Sequence, residues 1–218
     1  MHTKTVIKDN SSKTAYKQLI ILGALAAAIS FLPQIFGMIF WNYPFFNSIS
    51  ASANSYGTSN ILPFVLGAMA VYFFAYEGYD RTDRILTLIM ALGAFGVAMF
   101  QCKGGPMQGA EASIFALSKD TANLIHSVSA ISLFAAMIYW VRFQFVKSST
   151  LDPTPNKTKR NRLYKICGNT AFFSLLGFGL ITLGPLKGFA PNIWILEVLI
   201  LLPLSVAILC KGRAFLKD

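Results

Sequence analysis

The chain lacks charge over long stretches. No Asp, Glu, Lys or Arg stands between Lys17 and Glu77, between Arg84 and Lys103, between Asp120 and Arg142, or between Lys165 and Lys187, and from there to Lys211 only Glu197 interrupts. Bilayer hydrocarbon is about 30 Å thick, so a crossing helix needs ~20 mostly apolar residues. Charge confined to the joints between such runs excludes an ordinary soluble domain. Thiols and imidazoles are scarce too: three cysteines and two histidines among 218 residues. Three scattered cysteines exclude a disulfide framework. One intramembrane histidine excludes a multi-histidine metal site, so no metal and no cofactor are expected. Gly-x-Ser-x-Gly, His-Glu-x-x-His and the phosphate-binding loop are also missing.

What is present is apolar. Hydrophobic residues make up 55% of the chain and charged ones 13%, with a mean hydropathy of +0.55. The uncharged runs place six spans at 18–41, 61–76, 85–101, 121–141, 166–185 and 193–210. The fold expected is an all-α, six-transmembrane-helix bundle forming a single integral membrane domain over residues 1–218. Residues 1–17 form a polar lead, and the first helix reads as retained rather than cleaved as a signal peptide. No lipidation motif is seen.

The formal net charge of +10 would suggest nucleic acid in a soluble protein. Here topology explains it, and no nucleic acid is expected. Lys4, Lys8, Lys13, Lys17, Arg81, Arg84, Arg142 and Lys147 fall on one side, as do Lys157, Lys159, Arg160, Arg162, Lys165, Lys211, Arg213 and Lys217. Only Lys103, Lys119 and Lys187 fall on the other. Positive charge stays in the cytoplasm, so both termini are expected there. The basic run 157–165 is drawn to anionic lipid by ~1 kcal/mol per charge.

The joints carry further expectations. Glu77 to Arg84 reads as a tight turn whose alternating charges pair with each other and with lipid phosphates. The 42–60 joint is uncharged but dense in Ser, Asn, Tyr and Phe, and reads as a solvated turn or as a cap over a cavity. Ile114, Phe115 and Leu117 fit a short interfacial helix, and 185–191 a brief hairpin that makes the fifth and sixth helices neighbours. Small residues in the first helix (Gly23, Ala24, Ala26, Ala27, Ala28) and Gly67, Gly93, Gly96, Gly177 and Gly179 read as helix-packing sites. Tyr164, Asn169 and Thr170 either face a second pocket or bond helix carbonyls.

Ionisable groups inside a span are costly and mark functional sites. His126 lies six residues past Asp120 and Glu197 six past Pro191, which puts each about 9 Å into its helix. Equal depth beneath the Ser-rich joint predicts an outward-facing polar pocket containing His126, Glu197, Ser48 and Ser50, with Gln101 at its edge. The leading reading is a non-enzymatic protein that binds a membrane lipid headgroup or small amphiphile there. One alternative is a lipid hydrolase or acyltransferase, with a serine as nucleophile and His126, held by a carboxylate, as its base. Another is a proton-coupled transporter using His126 and Glu197; a His–Glu pair that only fixes helix packing is the plain reading.

Several segments in order resemble a family of small six-helix bacterial inner-membrane proteins of no established function. They are Ser48-Ile49-Ser50, Ala75-Tyr76-Glu77-Gly78-Tyr79-Asp80-Arg81, Ala91-Leu92-Gly93 with Val97-Ala98, and His126. They continue with Thr154-Pro155-Asn156-Lys157, Arg160-Asn161-Arg162-Leu163-Tyr164, Cys167-Gly168, Glu197 and Lys211-Gly212. The chain departs after Ser50, where that family carries paired aromatics and then Arg-Asp. The plan is remotely similar to DRAM/Sfk-type membrane proteins, which also show a Ser-containing first outer loop, a His in the fourth helix and a Glu in the sixth. The resemblance implies a bacterial inner-membrane location. A similarity to the zinc-dependent alkaline ceramidase and adiponectin-receptor superfamily fails on the missing histidines.

Overall fold

A computed structural model describes residues 2–43, 45–55, 57–103, 115, 117–147, 154–182 and 193–217. Among them are six α-helices and no strand. They are α1 (His2–Trp41), α2 (Ile61–Ala75), α3 (Arg81–Met99), α4 (Lys119–Tyr139), α5 (Pro155–Thr182) and α6 (Ile193–Lys211). A short 3₁₀ turn covers Ser50–Asn54, and α4 runs on into a π-helical turn over Trp140–Gln144. Helices are what such runs must form, because hydrocarbon offers no partner to a free N–H or C=O. Five of them, in α1, α3, α4, α5 and α6, are long and apolar enough to cross a membrane. The exception is α2: its 15 residues reach only about 22 Å.

Boundaries differ from the sequence expectation where polar residues are also good helix formers. The 1–17 lead is helical from His2, making α1 40 residues long, although its membrane-compatible part begins at Lys13. The basic run 157–165, expected in a joint, lies within the first turns of α5. Thr154 caps that helix, its hydroxyl accepting from the Lys157 amide at 3.1 Å, and Pro155 stands at the first helical position, where a missing N–H costs nothing. Asp80 caps α3 by accepting from the Asp83 amide at 2.8 Å. Its ion pair with Lys147 holds the Asp80 carboxyl below its ordinary range. The short helix expected over 110–117 and the hairpin 185–191 lie outside the described residues, apart from Phe115 and Leu117.

The helices form a closed ring in chain order, each against its neighbours, with α6 returning to α1. Two tight seams set it. A Cβ on Gly96 would meet the Ser129 hydroxyl at 2.2 Å and one on Gly93 the Ser129 carbonyl at 2.9 Å, so α3 and α4 approach backbone to backbone. Gly23 likewise lies against Leu209 across the α1–α6 seam. By contrast, Gly67, Gly177 and Gly179 face open space and are not packing sites as expected. The inward faces bury Leu22, Ile29, Phe73, Met90, Ile200 and Leu204, while Phe64, Val71, Leu92 and Phe173 stand 65–75% exposed on the outer surface. Large apolar side chains turned outward around a ring are what a lipid-facing surface requires.

In the 77–84 turn, Asp80, Asp83 and Arg84, expected to pair within the turn and with lipid phosphates, take other partners. Asp83 is fully buried and accepts from the Trp140 indole N–H and from the Tyr79 amide at 2.9 Å. Arg84 donates to the carbonyls of Phe74 and Tyr76, each at 2.7 Å. Gly78, at φ +73°, permits the chain to fold over Asp83, where a Cβ would clash with the carboxylate at 2.7 Å. Of the trio expected near a second pocket, only Tyr164 is buried, edge-on to Phe145. Asn169 and Thr170 are exposed.

Candidate functional site

The site forms at the opposite end of the bundle, where the 42–60 joint folds inward. Four groups stitch it down. Gln34 of α1 accepts from the Phe46 amide at 2.9 Å. The Trp194 amide, at the start of α6, donates to the Asn47 carbonyl at 2.7 Å. Asn54 donates to the Cys102 carbonyl at 2.7 Å, and Glu197 of α6 accepts from the Ile49 amide. Within the joint, Ser52 donates to the Ile49 carbonyl at 2.6 Å and Thr58 to the Ser52 carbonyl at 2.8 Å. Ser52, Asn54, Ser55 and Thr58 are all buried. The joint is a cap, not a solvated turn, and its polar density is what lets irregular backbone sit inside the bundle.

Below the cap lies a cavity of about 710 Å³. Its polar end carries Ser48, Ser50, Lys103, Asn123, His126, Ser127 and Glu197. The remaining wall is made by residues such as Ile29, Met69, Leu133, Phe134, Met137 and Leu201. The pocket was expected to be polar; it is mostly apolar with polar groups gathered at one end. Helical period explains the difference. One turn inward from His126 and Glu197 the faces that line the cavity present Ala130 and Leu201, and two turns inward from His126 they present Leu133.

His126 is buried, 5% exposed. Its Nδ1 lies 2.7 Å from the Phe100 carbonyl oxygen and its Nε2 3.2 Å from Ser50 Oγ. A carbonyl only accepts, so Nδ1 carries the proton. In the neutral ring Nε2 then holds the lone pair and accepts from the Ser50 hydroxyl. The sequence expectation that a carboxylate holds His126 is corrected: the backbone at the end of α3 does so. Glu197 instead serves the loop, bonding the amide of Ile49, with the Ser50 amide also bonded to the carboxyl group.

Of the residues singled out in the sequence, Ser48, Ser50, His126 and Glu197 line one cavity, and Gln101 is not among its lining residues. The Ser48 hydroxyl is occupied by the Ala51 amide at 2.9 Å, so it shapes the cap. Among the polar lining residues that the sequence reading does not single out are Asn123 and Ser127. Their signal was present: they stand three before and one after His126, so Asn123 shares its helix face. Asn123 Oδ1 accepts from the Lys103 amide at 2.8 Å, and Ser127 donates to the Asn123 carbonyl at 2.8 Å. Among the described residues no cluster of metal-ligating side chains occurs.

Comparison with protein-family models, with curated proteins and with solved structures finds no match to this chain. The fold and site therefore stand on their own geometry: a ring of helices, five able to cross a membrane, around a cavity polar at one end and apolar along its length.

Proposed function

We propose that the chain is an integral protein of a bacterial inner membrane that binds a single-tailed or small amphiphile, headgroup at Ser50 and His126, tail along the apolar wall. One observation carries this reading. The cavity of about 710 Å³ is graded along its length from hydrogen-bonding groups to aliphatic and aromatic ones, which matches the gradation of an amphiphile. The basic excess on the other face of the bundle supports an orientation with the capped end outward. Ile131, Phe134, Leu175 and Phe178 of α4 and α5 line the cavity, and entry from the bilayer between these two helices fits the reading.

Native mass spectrometry of the protein in mild detergent tests it. Wild type is expected to retain one amphiphile class at a stoichiometry near one. Ala130→Trp, which fills the wall one turn from His126, is expected to lose that adduct while unfolding at an unchanged temperature. A wild type that carries no selective adduct, or an Ala130→Trp variant that keeps it, would refute the proposal.

A further inference from the structure

We infer that Ser50 is a nucleophile and His126 its general base, an acyl-transfer site for amphiphiles carrying a carboxylic ester; this deepens the amphiphile reading and rests on it. The carrying geometry is the relay from the Phe100 carbonyl through His126 to Ser50, with distances of 2.7 Å and 3.2 Å. It contains a hydroxyl, a base that accepts its proton, and a third group that fixes the ring and its tautomer. A base must lie within hydrogen-bond reach of the proton it takes, and spacing at this level is at the loose end expected without substrate.

The same bond read as a mere anchor for the cap leaves two facts unexplained. The cap is already held by Gln34, Glu197, Asn54 and the Trp194 amide, so a further tether adds little. Ser50 and His126 also both line the cavity, facing the space an amphiphile's ester would fill at the junction of headgroup and tail. Glu197 contributes as a positioning residue. It bonds the backbone of Ile49 and Ser50 and so sets where the nucleophile stands. Asn123 lies on the His126 face of α4 with its Oδ1 already engaged by Lys103. We assign its amide N–H₂, on the cavity wall, as one donor to a developing oxyanion.

The step balances with water as co-reactant. Ser50 Oγ attacks the ester carbonyl carbon as His126 Nε2 takes the hydroxyl proton. The tetrahedral intermediate breaks its bond to the leaving alkoxide, which receives that proton from Nε2 and departs as the alcohol. Acyl-Ser50 remains. Water then attacks the acyl carbon, again yielding a proton to Nε2, and the acid leaves as Ser50 Oγ regains the proton.

The test uses the full chain in mild detergent with two probes, p-nitrophenyl decanoate as ester and decylglycerol as its unreactive ether counterpart. Wild type is expected to bind the ether, release p-nitrophenol, and carry a decanoyl adduct that peptide mapping places on Ser50. Ser50→Ala should lose the adduct, ether binding being read in the wild type alone. His126→Gln should slow acylation at least roughly a hundredfold, the scale of a lost general base. Ether binding with no p-nitrophenol release above that of Ser50→Ala, or an adduct mapped to another residue, overturns the acyl-transfer inference and leaves the binding reading intact. Failure of wild type to bind the ether overturns both. Should Ser50→Ala not fold, the site of the wild-type adduct decides alone.

Discussion

Removing the Glu197 carboxylate should release the cap locally without unfolding the bundle. Glu197 is 7% exposed and accepts from the Ile49 amide. In Glu197→Leu, a side chain of comparable size leaves that amide buried and unpaired, at a cost of about 1–3 kcal/mol. Because α6 stays anchored along the α1 and α5 seams, the loss should appear as easier opening of the cap. Taking ~2 kcal/mol, and a tenfold change for every 1.4 kcal/mol, amide exchange over 46–55 should accelerate about 30-fold. Glu197→Gln keeps a neutral acceptor; a loss of ~1 kcal/mol corresponds to about fivefold. Hydrogen–deuterium exchange with peptide-level mass spectrometry reads both, with α3 peptides as the internal reference. Exchange over 46–55 within twofold of wild type in Glu197→Leu would refute the tether, as would equal acceleration of the α3 peptides.

Other outcomes follow from the same structure. Gly96→Ala should destabilise by about 1–3 kcal/mol, the cost of overpacking a tight seam. Ser129→Gly should restore much of the loss in the double variant, because Ser129 side-chain atoms are what the new Cβ would meet; thermal unfolding in detergent measures both. Trp140→Phe removes the indole N–H that Asp83 accepts and should cost about 1.5–3 kcal/mol, the range for hydrogen bonds to a charged group. The same melts check it, and an unchanged stability would contradict the role given to this pair. For orientation, a cysteine replacing Lys103 should react with an impermeant thiol reagent added to intact cells, and one replacing Lys217 should not. The reverse pattern would invert the proposed topology.

Much of this arrangement was readable from the sequence because lipid imposes few solutions. Each of the six helices overlaps one of the spans placed on the uncharged runs, since only a helix satisfies its own backbone in hydrocarbon. The ends were read less well. Lys157 to Lys165 reads as a joint if charge marks a boundary, yet long basic side chains are good helix formers, and Arg160 is even buried against the Leu216 carbonyl. Equal depth along two helices pointed to His126 and Glu197, and both reach the same cavity. Their partners could not be read, because depth does not fix helix rotation. His126 turned out to bond Phe100 and Ser50, and Glu197 the cap backbone. Asp83 was invisible for a related reason: its partner Trp140 is 57 residues distant in sequence, and nothing local separates a buried aspartate from the exposed Asp80 beside it.

Under the proposed function the graded cavity, and not only the outer surface, holds an amphiphile tail. Photocrosslinking with an amphiphile bearing a terminal diazirine on its tail tests this most directly, with crosslinked residues mapped by mass spectrometry. Adducts are expected on cavity residues such as Met137, Leu175 and Leu201, suppressed by excess unlabelled ether and absent from Ala130→Trp. Adducts confined to outward residues such as Phe64, Leu92 and Phe173, insensitive to competitor, would contradict it.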